Sequence, residues 1–261
     1  MMTPPKKGRI LLTNDDGFDA PGLAALIDVA RTIADEIWVV APQLDQSGMG
    51  QSITINGPLR CIARGDKKWA ISGTPADCVI MALSHLMKET PPDLILSGIN
   101  AGSNTGDDVN LSGTLGAAFT GLMLGVPSMG ISLACASRKH LRWDMARAVL
   151  PEILGSFLRE GWDKNHCLSV NLPDLPEEQI KGIFWSRPAH KTIPSFEVAE
   201  REDLRERNYY WIIPNDDNSH ADHGSDLAAL ERGQVAVTAL TLDRSVNVIT
   251  APFGKKTAND E

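Results

Sequence analysis

The stretch RILLTNDDG, residues 9–17, joins an apolar run to two adjacent carboxylates, and it governs how the rest of the chain is interpreted. Residues 9–13 are predicted to form a short buried strand that ends in the polar loop carrying Asp15 and Asp16. Like charges this close raise each other's pKa unless a positive group lies between them. A divalent cation is the simplest such group, and ligands of open α/β sheets bind at the carboxyl ends of the strands. The stretch therefore suggests a metal site at the end of the first strand.

Beyond this stretch, apolar strands alternate with helical segments. Pro21 and Pro75 indicate helix starts, because proline is tolerated in the first turn of a helix. Thr74 is a suitable N-cap for the second of these helices, and Asp77 completes a capping-box pattern with it. Strands are predicted at residues 37–41, 69–71, 93–97, 128–133 and 167–172, and helices from residue 21, from 75 to about 87, from 115 to 124 and from 143 to 158. The alternation predicts an α/β protein with a largely parallel sheet covered on both faces.

The pattern changes after Asp174, where prolines, charges and aromatic residues become frequent. Residues 1–180 are therefore predicted as the main domain, and residues 181–261 as a C-terminal extension partly packed on the core. Within the extension, strands are predicted at 209–213 and 235–240, with the first of them isolated. The charge run at 197–207 alternates in sign, which predicts a solvated helix face.

Composition excludes several classes of function. A formal net charge of −8 argues against broad binding to nucleic acid polymers or to anionic membranes, although a metal ion would still let a small phosphorylated substrate bind. No stretch approaches the ~20 apolar residues of a membrane span, so we expect a soluble cytoplasmic protein.

Cysteine and histidine residues offer no metal or disulfide pattern. The four cysteines contain no C-x-x-C pair and are predicted to be buried free thiols; they are Cys61, Cys78, Cys135 and Cys167. The six histidines show no metal-binding or triad-like spacing, and His220 and His223, which flank Asp222, are expected in a solvated loop.

Four polar segments follow predicted strands, at residues 14–17, 47–48, 98–100 and 112–114. In a doubly wound sheet their loops would lie along one rim. Together they offer only oxygen ligands, from Asp15, Asp16, Ser47 and Asn100. Carboxylate, hydroxyl and amide oxygens suit Mg²⁺ or Mn²⁺, with Co²⁺ as a further candidate, whereas the absence of His and Cys argues against zinc.

The segment Ser112-Gly113-Thr114 precedes a helix of small residues and has the character of a phosphate-binding site. Backbone N–H groups, two hydroxyls and the positive end of a helix dipole all favour a phosphate there. A metal ion beside such a site suggests phosphoryl chemistry. Taken singly, each of the four segments is more often a turn, a loop or a helix cap, but their joint occurrence at successive strand ends favours a functional site.

The same residues strongly resemble the SurE family (survival protein E, 5′/3′-nucleotidase). The resemblance is ordered along residues 9 to 135. It is carried by Asn14-Asp15-Asp16-Gly17 with Ala20-Pro21-Gly22, Ala41-Pro42 with Ser47-Gly48, Ser72-Gly73-Thr74-Pro75-Ala76-Asp77-Cys78-Val79, Ser97-Gly98-Ile99-Asn100-Ala101-Gly102 and Ser112-Gly113-Thr114. In the last third the resemblance weakens, and Leu111 stands where many relatives carry an aromatic residue or histidine.

This resemblance implies a Rossmann-like three-layer α/β/α sandwich with a C-terminal oligomerisation arm that exchanges between subunits of a homodimer or homotetramer. It also implies a divalent-metal phosphomonoesterase acting on nucleoside 5′- and 3′-monophosphates, with short polyphosphate as a further substrate left open. The implied metal ligands are Asp15, Asp16, Ser47 and Asn100. No nucleic acid polymer and no membrane is expected as a partner.

The predicted mechanism is direct attack by a water molecule, because the chain lacks the D-x-D-x-T pattern of phosphatases that use a nucleophilic Asp. The cation would bind a phosphate oxygen and lower the pKa of the water. Ser112, Gly113, Thr114 and Ser47 are the predicted phosphate-binding residues. Asp15, Asp16 and Asn14 are the predicted catalytic residues, with the proton-transfer group left open.

Two other classes of protein share part of this pattern. A receiver domain would need an Asp after its third strand and a Lys after its fifth, whereas this chain has Asn100 and, after residue 133, no Lys before Lys139. A nucleotide-binding protein without catalysis is the remaining alternative, and a phosphate-release assay separates it from an enzyme.

Overall fold

The computed structural model describes residues 7–135, 137, 140–190, 195–215 and 221–245. The strands are β1 (Lys7–Thr13), β2 (Ala34–Pro42), β3 (Cys61–Gly65), β4 (Lys68–Ile71), β5 (Leu94–Ala101), β6 (Ser128–Leu133), β7 (Cys167–Leu172), β8 (Ile183–Ser186), β9 (Ser195–Glu202), β10 (Asn208–Asn215) and β11 (Val235–Leu240). The helices are α1 (Pro21–Ile33), α2 (Pro75–Met81), α3 (Gly113–Met123), α4 (Trp143–Glu160) and α5 (Asp226–Glu231).

Nine strands form one mixed sheet in the order β3-β4-β2-β1-β5-β6-β7-β11-β8. The six strands from β4 to β7 run parallel to one another. Numbered along the chain, these six strands have the spatial order 3-2-1-4-5-6 of a doubly wound nucleotide-binding fold. The predicted Rossmann-like α/β fold is therefore confirmed.

Helices cover both faces of the sheet, as predicted. On one face, α1 and α4 bury Leu26 and Leu154 in a core that includes Ile10 and Leu12 of β1. On the other face, α2 and α3 pack over Leu11, whose side chain points the opposite way because successive strand residues alternate. Strands β6 and β7 are buried along their whole length, which explains their nearly continuous apolar character.

Most predicted elements are present, although several differ in length, among them β2, α2 and β5. The Thr74–Asp77 capping box is formed, but the α-helix ends at Met81 and continues as a π-helical turn over Ala82–Leu86. Strand β5 extends to Ala101, so it includes residues 98–101 that were predicted as loop. This extension places Asn100 on the last part of a buried strand rather than on a loop.

The C-terminal third does not contain the predicted helix at 197–207. Residues Ser195–Glu202 form β9, which pairs antiparallel with β10 in a separate two-stranded sheet. A charge run that alternates in sign has a period of two, and this period suits a strand exposed on both faces better than a helix. The predicted isolated strand at 209–213 lies in β10 and has β9 as its partner.

Two other C-terminal strands join the main sheet. Strand β11 pairs antiparallel with β7, and β8 pairs parallel with β11. The division at residue 180 and the exchange of an arm between subunits stay predictions. Residues 246–261 of the predicted extension, and His220, lie outside the described residues.

All four cysteines are free, but they differ in burial. Cys78 and Cys167 are buried and Cys135 is partly buried, whereas Cys61 is exposed. The prediction of a buried thiol is wrong for Cys61, because it lies on the exposed edge strand β3. Across the described ranges, no helix has both the length and the apolar character needed to cross a membrane.

Candidate active site

The predicted site residues gather at the carboxyl edge of the sheet, around the neighbouring strands β1 and β5. Chain connections leave β1 and β5 toward opposite halves of the sheet, which opens a crevice between their ends. Asp15 and Asp16 follow β1, and Asn100 lies near the end of β5. The crevice is where this type of sheet binds its ligands.

Asp15 is buried at 3% exposure and faces the start of α3. The hydroxyl of Thr114 donates to Oδ1 of Asp15 at 2.5 Å. A Cβ on Gly113 would lie 2.8 Å from Cβ of Asp15, so only glycine lets the helix come this close. The pKa of Asp15 is raised to about 6, mainly by burial and to a smaller extent by the charge of Asp16. The hydrogen bond from Thr114 acts in the opposite direction and lowers this pKa.

Asp16 faces the end of β5 instead. Its Oδ2 accepts a hydrogen bond of 3.0 Å from the backbone N–H of Ala101. Asn100, one residue earlier, is buried and donates from Nδ2 to the carbonyl oxygen of Gly102 at 3.0 Å. This bond fixes the amide so that Oδ1 is the atom that Asn100 offers to a ligand. The two adjacent carboxylates thus point in different directions, toward α3 and toward β5.

Ser47 belongs to an exposed loop that packs against two parts of the chain, the segment that carries Asp15 and Asp16 and the start of α3. The N–H of Gln46 donates to the backbone oxygen of Asp15 at 2.8 Å. Both the hydroxyl and the N–H of Ser47 donate to Oδ1 of Asp45, at 2.6 and 2.8 Å. A hydroxyl that donates to a carboxylate keeps its oxygen lone pairs for a metal ion or another donor.

Asp45 was not predicted as a site residue. Asp side chains in loops often accept a hydrogen bond from the residue two positions later, and Asp45 lies two positions before Ser47. This spacing is the sequence signal from which the role of Asp45 could have been predicted. Because Asp45 fixes the orientation of Ser47, we count it among the residues that build the site.

The N-terminus of α3 has the geometry expected of an anion site. Ser112 is the N-cap, and its Oγ accepts from the N–H of Leu115 at 3.1 Å. The serine loop is locked onto this helix, since the N–H of Gly50 donates to the oxygen of Leu111 at 2.9 Å. A Cβ on Gly116 would lie only 1.9 Å from the oxygen of Gly50, so these two backbones are in direct contact.

Asn14 has a structural contact that the sequence did not predict. It is fully buried, and its Nδ2 donates to the carbonyl oxygen of Gly17 at 2.8 Å, which closes the loop that carries both aspartates. Its Oδ1 is buried without a hydrogen-bond partner among the described residues. A role for Asn14 in orienting water stays a prediction.

The donor chemistry fits a hard divalent cation. Nowhere in the described part of the chain do three or more His, Cys, Asp or Glu side chains gather in a way that could hold a metal ion. The predicted ligand set has two such residues and adds a hydroxyl and an amide oxygen, which is the oxygen-rich chemistry of Mg²⁺ and Mn²⁺ sites. The buried oxygen of Asn14 and the raised pKa of Asp15 also mark a place where positive charge would be favourable.

Asp226 is a second residue that was not predicted from the sequence. It is 1% exposed at the start of α5 and accepts from the N–H groups of Gly106 at 3.0 Å and Ala189 at 2.9 Å. Burial raises the pKa of Asp226, although these backbone hydrogen bonds act in the opposite direction and lower it. Asp226 therefore ties the glycine-rich loop that leads into Ser112 to the C-terminal part of the sheet.

Comparison with known proteins gives a consistent result. Residues 10–194 match the family described as Survival protein SurE. The chain is 42% identical over 247 residues to a protein named 5′-nucleotidase SurE 1 from Burkholderia lata, covering 93% of this chain and 94% of that protein. It is also 42% identical over 252 residues to 5′-nucleotidase SurE from a Bradyrhizobium species, covering 94% and 98%.

A solved structure agrees with this match. The crystal structure of the SurE protein from Aquifex aeolicus superposes on the chain with a TM-score of 0.78 at 36% sequence identity. The superposition covers 91% of this chain and 94% of that one. The similarity therefore extends over the main sheet and most of the C-terminal third.

Proposed function

The chain belongs to the SurE family, and from this membership we propose that it is a divalent-metal-dependent nucleotidase that hydrolyses nucleoside 5′- and 3′-monophosphates to nucleoside and phosphate. The observation that carries the proposal is the contact of Asp15 with the start of α3, where Thr114 Oγ1 lies 2.5 Å from Asp15 Oδ1. A carboxylate suited to a metal ion and a helix N-terminus suited to phosphate are thereby joined. The names of both relatives support the nucleotide as substrate class.

The metal ion would be held by oxygen atoms of Asp15, Asp16, Ser47 and Asn100. Mg²⁺ and Mn²⁺ suit this set, and Co²⁺ is a further candidate. When bound, the ion supplies positive charge to a phosphate oxygen and lowers the pKa of an attacking water. Thr114 supports this role because its hydrogen bond to Asp15 favours the ionised carboxylate despite burial.

Phosphate would be held by the start of α3. The N–H groups of Gly113 and Thr114 lie in the first turn of α3, where helix N–H groups have no partner within the helix. Ser112 uses its oxygen to accept from Leu115, so its own O–H is the group that can donate to a phosphate oxygen. These donors would stabilise the charge that develops on phosphate as the ester bond breaks.

Water would attack the phosphorus atom directly, and the bond to the ester oxygen would break as the nucleoside leaves with a proton. Asp15, Asp16 and Asn14 are the proposed catalytic residues. Ser47 is proposed to contact both the metal ion and phosphate.

The test is release of phosphate from nucleoside monophosphates by the purified protein with Mg²⁺, Mn²⁺ or Co²⁺. Asp15→Asn should lower kcat by at least about a hundredfold with the fold unchanged by circular dichroism, since it removes a carboxylate ligand and its charge. The matched control is Asp66→Asn, which changes an exposed carboxylate between β3 and β4. A chelator should abolish turnover in the wild type.

Two outcomes would overturn this proposal. Near-normal turnover by Asp15→Asn would refute the metal assignment. Nucleotide binding without phosphate release under any metal condition would instead support the alternative of a non-catalytic nucleotide-binding protein. The same screen, extended to 3′-monophosphates and short polyphosphate, tests the remaining substrates.

We further propose that the protein is a homodimer or homotetramer assembled through the β9–β10 hairpin. In the described residues, this hairpin forms a sheet of its own, and isolated two-stranded hairpins are marginally stable in water. It carries exposed apolar side chains, including Trp211 at 62% and Ile212 at 70% exposure. We also propose the cytoplasmic location that was predicted from the sequence. Neither a membrane nor a nucleic acid is proposed as a partner.

A further inference from the structure

A cleft of about 580 Å³ lies beside Asp16, on the α1 and α4 side of the sheet. Its wall includes Ala20 and Gly22 at the start of α1, Ala101 at the end of β5, and His140 and Trp143 before and at the start of α4. The volume lies within the range of sites that enclose small ligands. Neither the family match nor the names of the relatives assign a ligand to it.

Asp15 and Asp16 separate this cleft from the phosphate-binding helix. Asp15 bonds to Thr114 of α3, whereas Asp16 bonds to the N–H of Ala101 and forms part of the cleft wall. A molecule whose phosphate lies at α3 therefore has room for its remaining part beyond Asp16. Crevices of doubly wound sheets hold extended ligands across the strand ends in this way.

We propose that this cleft binds the nucleoside part of the substrate; the inference rests on the proposed nucleotidase function and deepens it. The indole of Trp143 forms one wall, because its Cη2 lies 3.1 Å from the position of a Cβ on Gly22. The exposed His140 lies on the same wall and adds a flat, polar side chain. A flat base and a hydroxylated sugar match walls that combine aromatic surface with hydrogen-bonding groups.

The opposite side of the site offers a competing location. Leu44, Met49 and Leu111 are exposed apolar residues near Ser47 and Ser112. This rim lies on the α3 side, whereas the cleft wall includes Asp16 itself and the aromatic ring of Trp143. The cleft is therefore preferred, and variants of the rim serve as a direct comparison.

The first experiment fills the cleft. Ala20→Phe adds a ring at a half-exposed position in the cleft wall, whereas Ala24→Phe adds the same ring at an exposed position of α1 outside it. Ala20→Phe should raise KM for nucleoside monophosphates about tenfold or more and change hydrolysis of methyl phosphate, which has no ring, by less than about twofold. Ala24→Phe should leave both substrates unchanged.

The second experiment removes a wall. His140→Ala should raise KM for nucleoside monophosphates and leave the hydrolysis of methyl phosphate unchanged. The control is His85→Ala, at an exposed position next to α2, and it should leave both substrates unchanged. Met49→Ala and Leu111→Ala should have no effect on KM. A rise in KM for the rim variants and none for the cleft variants would overturn the inference while leaving the nucleotidase proposal intact.

Binding of adenosine, measured by isothermal titration calorimetry, makes the inference independent of turnover. The wild type and Ala24→Phe should bind adenosine, and Ala20→Phe should bind it about tenfold more weakly or not at all. Equal binding by Ala20→Phe would refute the cleft assignment. Adenosine binding sensitive to Ala20→Phe, with no phosphate release from any substrate, would refute the proposed hydrolysis and retain the nucleoside site.

Discussion

At the scale of single residues, the site depends on how adjacent side chains are divided between two directions. Asp15 is buried against Thr114, and Asp16 is held by the N–H of Ala101. The sequence predicted both carboxylates because their adjacency is unusual. It did not predict Asp45, whose role arises only from the folding of its loop onto Ser47.

Asp45→Ala should weaken metal binding without unfolding the protein. Ser47 would lose the acceptor of both its hydroxyl and its N–H, and loss of such supporting groups typically costs about tenfold or more in metal affinity. Because Asp45 is exposed, the free energy of unfolding should change by no more than about 0.5 kcal/mol. Titration calorimetry with Mn²⁺ measures the first effect and urea unfolding the second.

If Asp45 acts through Ser47, the two substitutions should not add. The double variant Asp45→Ala/Ser47→Ala should bind Mn²⁺ no more weakly than Ser47→Ala alone. Fully additive losses, or an unchanged affinity in Asp45→Ala, would contradict this role.

At the scale of elements, the serine loop and α3 form one unit through a backbone contact. Gly116→Ala should destabilise the protein by about 1–3 kcal/mol and weaken Mn²⁺ binding, because a Cβ there would lie 1.9 Å from the oxygen of Gly50 and would push the loop away. The matched control is Gly57→Ala, where nothing lies within 4 Å of the added atom. Urea unfolding and Mn²⁺ titration of both variants would check this, and equal behaviour would show that the contact is unimportant.

Strands β1 and β2 and the β3–β4 turn are joined by Glu36. It accepts from Arg9 at 3.1 Å, Trp38 at 2.6 Å and Lys67 at 2.9 Å, and these bonds lower its pKa from 4.5 to about 2. A carboxylate with a lowered pKa in the folded state stabilises the fold above its unfolded pKa, and this contribution is lost as the pH falls from about 4.5 toward 2.

Glu36→Gln should therefore lower the free energy of unfolding by about 1 kcal/mol at pH 7, a modest value because the cluster is partly exposed to solvent. The difference from the wild type should shrink at about pH 3. Urea unfolding at both pH values provides the measurement, with the exposed Glu89→Gln as control. A difference that does not change with pH would exclude the ionised Glu36 as its source.

At the scale of the whole molecule, the main sheet is continuous from β3 to β8, whereas the β9–β10 hairpin stands apart from it. Ile212 and Val198 are cross-strand partners on one face of the hairpin, and both are exposed in the single chain. An apolar pair on an isolated hairpin is expected to be covered by another copy of the chain, since the hairpin alone buries too little surface to be stable.

Ile212→Lys should consequently shift the protein toward monomer, because a buried lysine in the subunit contact would be unpaired. Ile55→Lys is the control, since Ile55 is exposed to a similar extent but lies outside the hairpin. Sedimentation velocity over a range of protein concentrations gives the masses. A wild type that is monomeric, or an Ile212→Lys variant with unchanged mass, would rule out assembly through this face.

The sequence by itself determined the α/β alternation, most strand and helix positions and the candidate ligand set, because strand periodicity, helix caps and strand-end motifs are local signals. It missed the hairpin because a period-two charge pattern was assigned to a helix, and it missed the last residues of β5 because glycines there were interpreted as loop. Only the tertiary structure joined Asp226 to Gly106, 120 residues apart, and formed the cleft beside Asp16. These features depend on which distant backbones come together, and that is decided by packing across the whole sheet.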